Sequence, residues 1–213
     1  MKITKLGHCC LVIQENGLII LTDPGAYTTK QVEIKDIDIV LITHEHADHL
    51  HVDSLKKVLE NNPNAEVITN ASVGRILEKE GIKFAVVGDK ESTVRKGVEI
   101  SGFGTDHWTM YKTVSPVENT GYFIGKKLFY PGDSFSTPNA PVDVLAMPVA
   151  GPWATLIEMI DYALMIKPKK AFPVHDGMLF PDKVGPAHRL PALELPKSGI
   201  EFIAMIEGDT KEF

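Results

Sequence analysis

The chain has 213 residues, 44% of them hydrophobic and 23% charged, a globular composition that excludes wholesale disorder and collagen-like repeats. No apolar run approaches the roughly 18 residues a membrane span needs, so no membrane role is expected. With 28 acidic against 22 basic residues, for a net charge of -6, a nucleic-acid partner is not expected; there is room only for a local basic patch.

The N-terminal stretch of residues 1–8 has neither the apolar core nor the small-residue cleavage site of a signal peptide. The two cysteines, Cys9 and Cys10, are neighbours, and neighbours in a strand point to opposite faces, which disfavours a mutual disulfide. Two reduced thiols point to the cytoplasm. Both read as small apolar strand residues, and nothing in the sequence specifically supports a metal or nucleophilic role for either.

Residues 3–6 and 9–13 form apolar strands, followed by a hairpin turn at Glu15-Asn16-Gly17, because Asn-Gly tolerates positive φ angles. A returning strand over 18–21 stops at Asp23-Pro24-Gly25. Residues 37–42 read as a buried strand that runs directly into His44. Asp53 or Ser54 is placed as the cap of a helix reaching Asn61, where Pro63 prevents continuation. A strand over 66–69 precedes a helix over 72–80 closed by Gly81. Strands follow over 83–87, 98–103, 121–124 and 128–130, the last two joined at Gly125-Lys126-Lys127. A strand over 142–147, a loop over 148–153, a helix over 155–166, and strands over 170–174 and 200–206 complete the reading. No repeat or linker interrupts it, so residues 1–213 are expected to form one domain with two sheets covered by outer helices.

The chemistry concentrates in Thr43-His44-Glu45-His46-Ala47-Asp48-His49. Three imidazoles and a carboxylate in six residues suit a borderline-soft divalent cation; zinc is the default, and Mn²⁺ or Fe²⁺ fits nearly as well. In an extended segment His44 and His46 face the same way and converge on one ion. Asp48 and His49, further round the bend, can serve a second ion nearby. One short motif cannot close two coordination spheres. Three further donors, His107, Asp133 and His175, each stand at a strand end or in a loop.

Taken in order, the elements Gly7-His8, Thr22-Asp23-Pro24-Gly25, the histidine motif, His107, Pro131-Gly132-Asp133-Ser134 and Pro173-Val174-His175 resemble the metallo-β-lactamase superfamily. Within it the chain is most similar to the small metal-dependent hydrolases related to L-ascorbate-6-phosphate lactonase. The resemblance implies an α+β fold, a four-layer αββα sandwich of two mostly antiparallel mixed sheets. It implies that His44, His46 and His107 hold one metal, that Asp48, His49 and His175 hold a second, and that Asp133 bridges them. It further implies a hydroxide between the ions as nucleophile, oriented by Asp48, with the metals acting as Lewis acids. The substrate expected is a small molecule with an ester, lactone, amide or phosphodiester bond. Flavodiiron proteins carry Glu where this chain has His46, which disfavours a di-iron oxygen site. Secreted antibiotic-degrading relatives need an export signal, and the larger RNA-processing members need extra domains.

Several residues keep two readings. His8 is either a second catalytic residue facing the cleft or a core-edge histidine bonded to backbone. His51 reads as a solvated residue before a helix and His188 as a C-terminal loop residue. Trp108, Tyr111 and Trp153 either line a substrate pocket or pack a lid, and Asp176 is placed to orient His175. Two competing functions stand beside the leading one. A phosphodiesterase for nucleotides or lipid headgroups would need cations near the metals, where only Lys112 and Arg189 are available. A non-catalytic metal sensor would have its cleft plugged by a loop such as 108–118. Self-association as a homo-oligomer is left open.

Overall fold

The computed structural model describes residues 1–213, the side chain of Pro181 excepted. The chain opens with β1 (Lys2–Gly7), β2 (Cys10–Glu15) and β3 (Leu18–Thr22), an antiparallel meander. Its second turn has Asn16 and Gly17 at φ 49° and 73°, the left-handed pair that two-residue hairpins require. β4 (Ile39–Leu41), α1 (Val52–Asn61), β5 (Glu66–Thr69), α2 (Ala71–Lys79) and β6 (Ala85–Val86) follow. The helical crossovers make β3 through β6 parallel.

A second sheet is built from β7 (Ser92–Arg95), β8 (Val98–Phe103), β9 (Gly121–Ile124), β10 (Leu128–Tyr130), β11 (Val144–Pro148), β12 (Lys170–Val174) and β13 (Glu201–Phe202). α3 (Leu156–Ile166) and α4 (Gly185–Glu194) belong to this half. β14 (Thr210–Glu212) returns to pair with β1 in the first sheet. Each sheet has seven strands, ordered β14-β1-β2-β3-β4-β5-β6 and β13-β12-β11-β10-β9-β8-β7.

The four layers expected from the sequence are present, with apolar clusters filling each interface. Ile3, Leu11, Ile13, Ile20, Ile100 and Tyr122 meet between the sheets. Val12, Leu21 and Val40 face outward onto Leu55 and Val58 of α1 and Val73 and Leu77 of α2. Phe129, Leu145 and Ala171 face Met159, Tyr162 and Ala163 of α3 and Ala187 of α4. The period-2 alternation along β2 puts Cys9 in the central cluster and Cys10 in the outer one, both free and buried. Among the described residues, no helix is long and apolar enough to cross a membrane.

Several expectations are corrected. The pairing is not mostly antiparallel: the hairpin-linked half of each sheet is antiparallel and the crossover-linked half parallel. α1 starts one residue before Asp53, with His51 as its cap residue. α2 starts at Ala71 because the Asn70 side chain accepts the Val73 N–H at 3.1 Å. The strand expected over 200–206 stops at Phe202, and Met205 turns its carbonyl to the Lys5 ammonium at 3.3 Å. The segment 176–199, read as loop, contains α4, so His188 is helical and buried. Two prolines hid that helix, yet Pro186 stands in its first turn, where a missing N–H leaves no bond unmade.

The fold delivers the C-terminal ends of β1, β3, β4, β8, β10 and β12 to one open edge, each followed by a residue singled out above. The Asp23-Pro24-Gly25 turn lies directly on the histidine loop: Ala26 N–H donates to the Ala47 carbonyl at 2.8 Å. A Cβ at Gly25 would overlap the Asp48 carbonyl. Gly25→Ala should therefore destabilise the protein by about 3 kcal/mol, the upper end of overpacking costs, read as a lower midpoint in urea. An unchanged midpoint would mean that this close approach does not exist.

Candidate metal centre

The centre is organised from beneath by Asp23, a buried residue just past β3 with φ 36°. One carboxylate oxygen accepts the Thr43 N–H at 2.8 Å. The other accepts the Thr43 hydroxyl at 2.7 Å, the Tyr130 hydroxyl at 2.5 Å and His49 Nδ1 at 2.7 Å. Since the Thr43 hydroxyl donates to Asp23, its oxygen accepts from His44 Nδ1 at 3.0 Å. Both histidines therefore use Nδ1–H as the donor, which turns each Nε2 to the cleft. Sequence reasoning saw Asp23 only as a turn residue. The available signal was an acidic residue at the end of a buried strand adjoining the one that enters the histidine motif.

His107 follows β8, and its Nδ1 donates to the Trp108 carbonyl at 2.6 Å, again leaving Nε2 free. His44 Nε2 and His46 Nδ1 stand 3.1 Å apart. Asp133 occupies the middle of the cluster. Its Oδ1 is 3.2 Å from His49 Nε2, and its Oδ2 is 3.4 Å from His107 Nε2 and 2.8 Å from His175 Nε2. The Asp133 backbone N–H donates to the Asn119 side chain at 3.0 Å, which fixes the turn after β10. Asp48 Oδ2 lies 3.6 Å from His175 Nε2 and 3.9 Å from His49 Nε2. All seven expected ligand residues thus meet in one place.

Three donor groups have their ligand atoms within 4.8 Å of one another: His44, His46 and His107; His44, His49 and Asp133; and His8, Cys9, His49 and His175. Cys9 is the addition here, since its thiol lies with the last group, held protonated by burial at a pKa of about 11. The Nε2 atoms of His49 and His107, both ring nitrogens of His175 and Oδ1 of Asp133 are buried and make no well-aligned hydrogen bond, the close approaches among them being ionic. Buried polar atoms are almost always satisfied. A set of imidazole and carboxylate orphans converging on one space fits divalent cations.

The electrostatics match. Burial opposes the Asp133 charge, but His175, His49 and His107 outweigh it and hold its carboxyl well below the usual range. Burial likewise opposes a charge on His49, yet Asp133, Cys9 and Asp23 push its pKa well above normal. Burial and the neighbouring His49 push His44 well below normal. Without metal the cluster is a set of compensating opposite charges, which cations can replace.

His8, just past β1, bonds to backbone on one side and reaches Asp48 on the other. Its Nδ1 accepts the Gly177 N–H at 3.1 Å, so the proton sits on Nε2 and donates to Asp48 Oδ2 at 3.2 Å. Burial lowers its pKa to about 4, so it is neutral. Burial raises the Asp48 pKa, but the His8 hydrogen bond and the His49 and His175 charges bring it down to about 2. The packing is tight: a Cβ at Gly177 would stand 2.7 Å from His8 Cβ. Asp176 does not hydrogen-bond to His175; its carboxylate instead takes the Lys5 ammonium at 2.7 Å and His188 Nε2 at 2.8 Å. His51 is exposed, as expected. Trp153 is buried with its ring 5.7 Å from those of both His107 and His175, and so walls the centre. Trp108 packs on Phe135 at 4.6 Å, while Tyr111 is exposed.

Asp23→Asn keeps the shape but cannot accept all four donors. It is expected to weaken zinc binding by about 10- to 100-fold in a competitive chelator titration, the usual range for a residue that orients ligands. Unchanged affinity would contradict the organising role of Asp23.

Comparison with known proteins identifies the family. Residues 2–175 match the family model described as a beta-lactamase superfamily domain. The protein Rv0786c of Mycobacterium tuberculosis is 34% identical over 194 residues, covering 87% of this chain and 88% of its own. A UPF0173 metal-dependent hydrolase of Carboxydothermus hydrogenoformans is 28% identical over 202 residues, covering 82% of this chain and 84% of its own. In fold, the chain is similar to Igni18, a metallo hydrolase from the archaeon Ignicoccus hospitalis, with a TM-score of 0.77 at 21% identity, covering 100% of this chain and 98% of that one. With its fold, its edge of histidines and a family match over most of its length, the chain belongs to the beta-lactamase superfamily, among relatives of its metal-dependent hydrolases.

Proposed function

We propose that this protein is a metal-dependent hydrolase that cleaves an ester, lactone, amide or phosphodiester bond in a small molecule at a centre of two divalent ions. The observation that carries the reading is the convergence of buried ligand atoms on His49, His107, His175 and Asp133 that make no well-aligned hydrogen bond. His44, His46 and His107 would hold one ion and Asp48, His49 and His175 the other, with Asp133 between them. When bound, such ions supply Lewis acidity and lower the pKa of water toward ~7. Zinc suits the imidazole-rich donor set best.

The chain's own residues divide the remaining work. Asp133, 3% exposed, has one oxygen turned to His49 and the other to His107 and His175. Asp48 is 19% exposed, so it is the carboxylate that solvent reaches, and it would orient the attacking water. His8 Nε2–H holds Asp48 in position, and the imidazole stays neutral, so it steadies the carboxylate without cancelling its charge. Trp153 limits water on the His107 and His175 side. The loop over 108–118 leaves Tyr111 exposed and His46 only half-buried, which favours an enzyme over a plugged sensor.

The test combines metal content with turnover. Purified protein is expected to carry about two divalent ions per chain and to hydrolyse at least one member of a panel of lactones, esters, thioesters and phosphodiesters. EDTA should abolish that turnover, and His46→Ala should lower it more than about 100-fold. A metal content well below one per chain, with turnover indifferent to EDTA, would defeat the proposal.

A further inference from the structure

A cavity of about 280 Å³ opens beside the centre. Tyr27, Leu179, Val184 and Ile206 form its apolar wall, and His8 and Gly177 form the wall toward the metals. The His8 ring stands 4.2 Å from His175 and reaches Asp48, so the cavity and the donor cluster share a partition one ring thick. Of the lining residues, Tyr27 and Ile206 are 53% and 58% exposed, so the cavity opens between two bare apolar side chains.

The charged groups of the cavity are already answered from within the protein. Lys5 is buried, and its ammonium gives its three protons to Asp176 at 2.7 Å, the Pro173 carbonyl at 2.9 Å and the Met205 carbonyl at 3.3 Å. The same Asp176 oxygen also takes His188. Glu207 pairs with Lys30 at 2.8 Å on the surface. Both nitrogens of His8 are engaged, by Gly177 and Asp48. Among the described residues lining the cavity, no cation is free for a phosphate or carboxylate, and an anion placed there would lose its water without gaining a cationic partner.

We propose that this cavity receives the uncharged apolar arm of the substrate. The centre then serves neutral carbonyl compounds, esters, lactones or amides, rather than phosphodiesters, whose nucleotide or headgroup portion would bring further charge. The inference rests on the hydrolase reading above for the reaction, but not for the binding. At ~30 Å³ per non-hydrogen atom, taking the liquid-water share as a guide, the space holds an arm of about nine such atoms. Val184 and Leu179 set its depth, and Ile206 and Tyr27 its mouth.

The test is binding of two probes to the metal-containing protein by ligand-observed NMR. One is N-methylhexanamide; the other is its equal-length analogue ending in a carboxylate, the N-methyl monoamide of adipic acid. The neutral amide is expected to bind saturably, about tenfold tighter than the anionic one. Val184→Phe, which fills the cavity, and Ile206→Glu, which charges its exposed rim, should each weaken the neutral amide about tenfold without changing zinc content. Ile206 is on the surface, so its variant remains informative if Val184→Phe does not fold. Equal or tighter binding of the anionic probe, no saturable binding of the neutral one, or indifference to both substitutions would overturn the proposal. Loss of turnover with this binding pattern intact would count against the hydrolase reading alone.

Discussion

The buried carboxylate of Asp23 is the interaction on which the open edge depends. A charge fully removed from water is tolerated only when its lone pairs are filled, and here four hydrogen bonds fill them. Those donors come from Thr43 past β4, Tyr130 at the end of β10 and His49 in the motif loop. One carboxylate thus ties the first sheet to the second at the height where both sheets stop. It also sets the tautomers of two histidines, directly for His49 and through the Thr43 hydroxyl for His44. A sandwich of two sheets that merely packed on apolar residues would have no reason to hold its strand ends in this register.

Above that layer the logic reverses. The lower shell is over-satisfied, whereas the upper shell of His49, His107, His175 and Asp133 leaves donor and acceptor atoms unmatched. Such a shell is costly unless something else completes it. Rigid support below and unmet valence above is the arrangement expected where geometry must be fixed before a cation arrives. The second support runs from the C-terminal side of the chain. Lys5, Asp176 and His188 form a buried polar chain joining β1, the loop after β12 and α4. That chain steadies the segment on which His175 sits with φ 63°, and it also uses up the charges that line the neighbouring cavity.

Much of this was legible in the sequence, for local reasons. The strands over 66–69, 98–103, 121–124, 128–130 and 170–174 coincide with the structure, because each is a short apolar or alternating run bounded by turn residues. The seven candidate ligands were legible because imidazoles and carboxylates at strand ends have few structural uses. The remainder depends on distance along the chain. Lys5 meets Asp176 across 171 residues, and no local pattern announces that a lysine in a strand will be buried. Asp23 looks like any turn aspartate until its four donors are assembled. α4 was hidden because Pro186 and Pro191 resemble helix breakers, although one lies in the first turn. Cys9 read as a core residue, and it is one, but its thiol also borders the donor cluster.

In the function proposed above, two cations complete the upper shell, one on each side of Asp133. Anomalous diffraction at the zinc edge, from crystals grown with zinc, is the decisive measurement. Two strong peaks are expected, one among His44, His46 and His107 and one among Asp48, His49 and His175, with Asp133 between them. A lone peak elsewhere, or no peak at this edge in a folded protein, would contradict it.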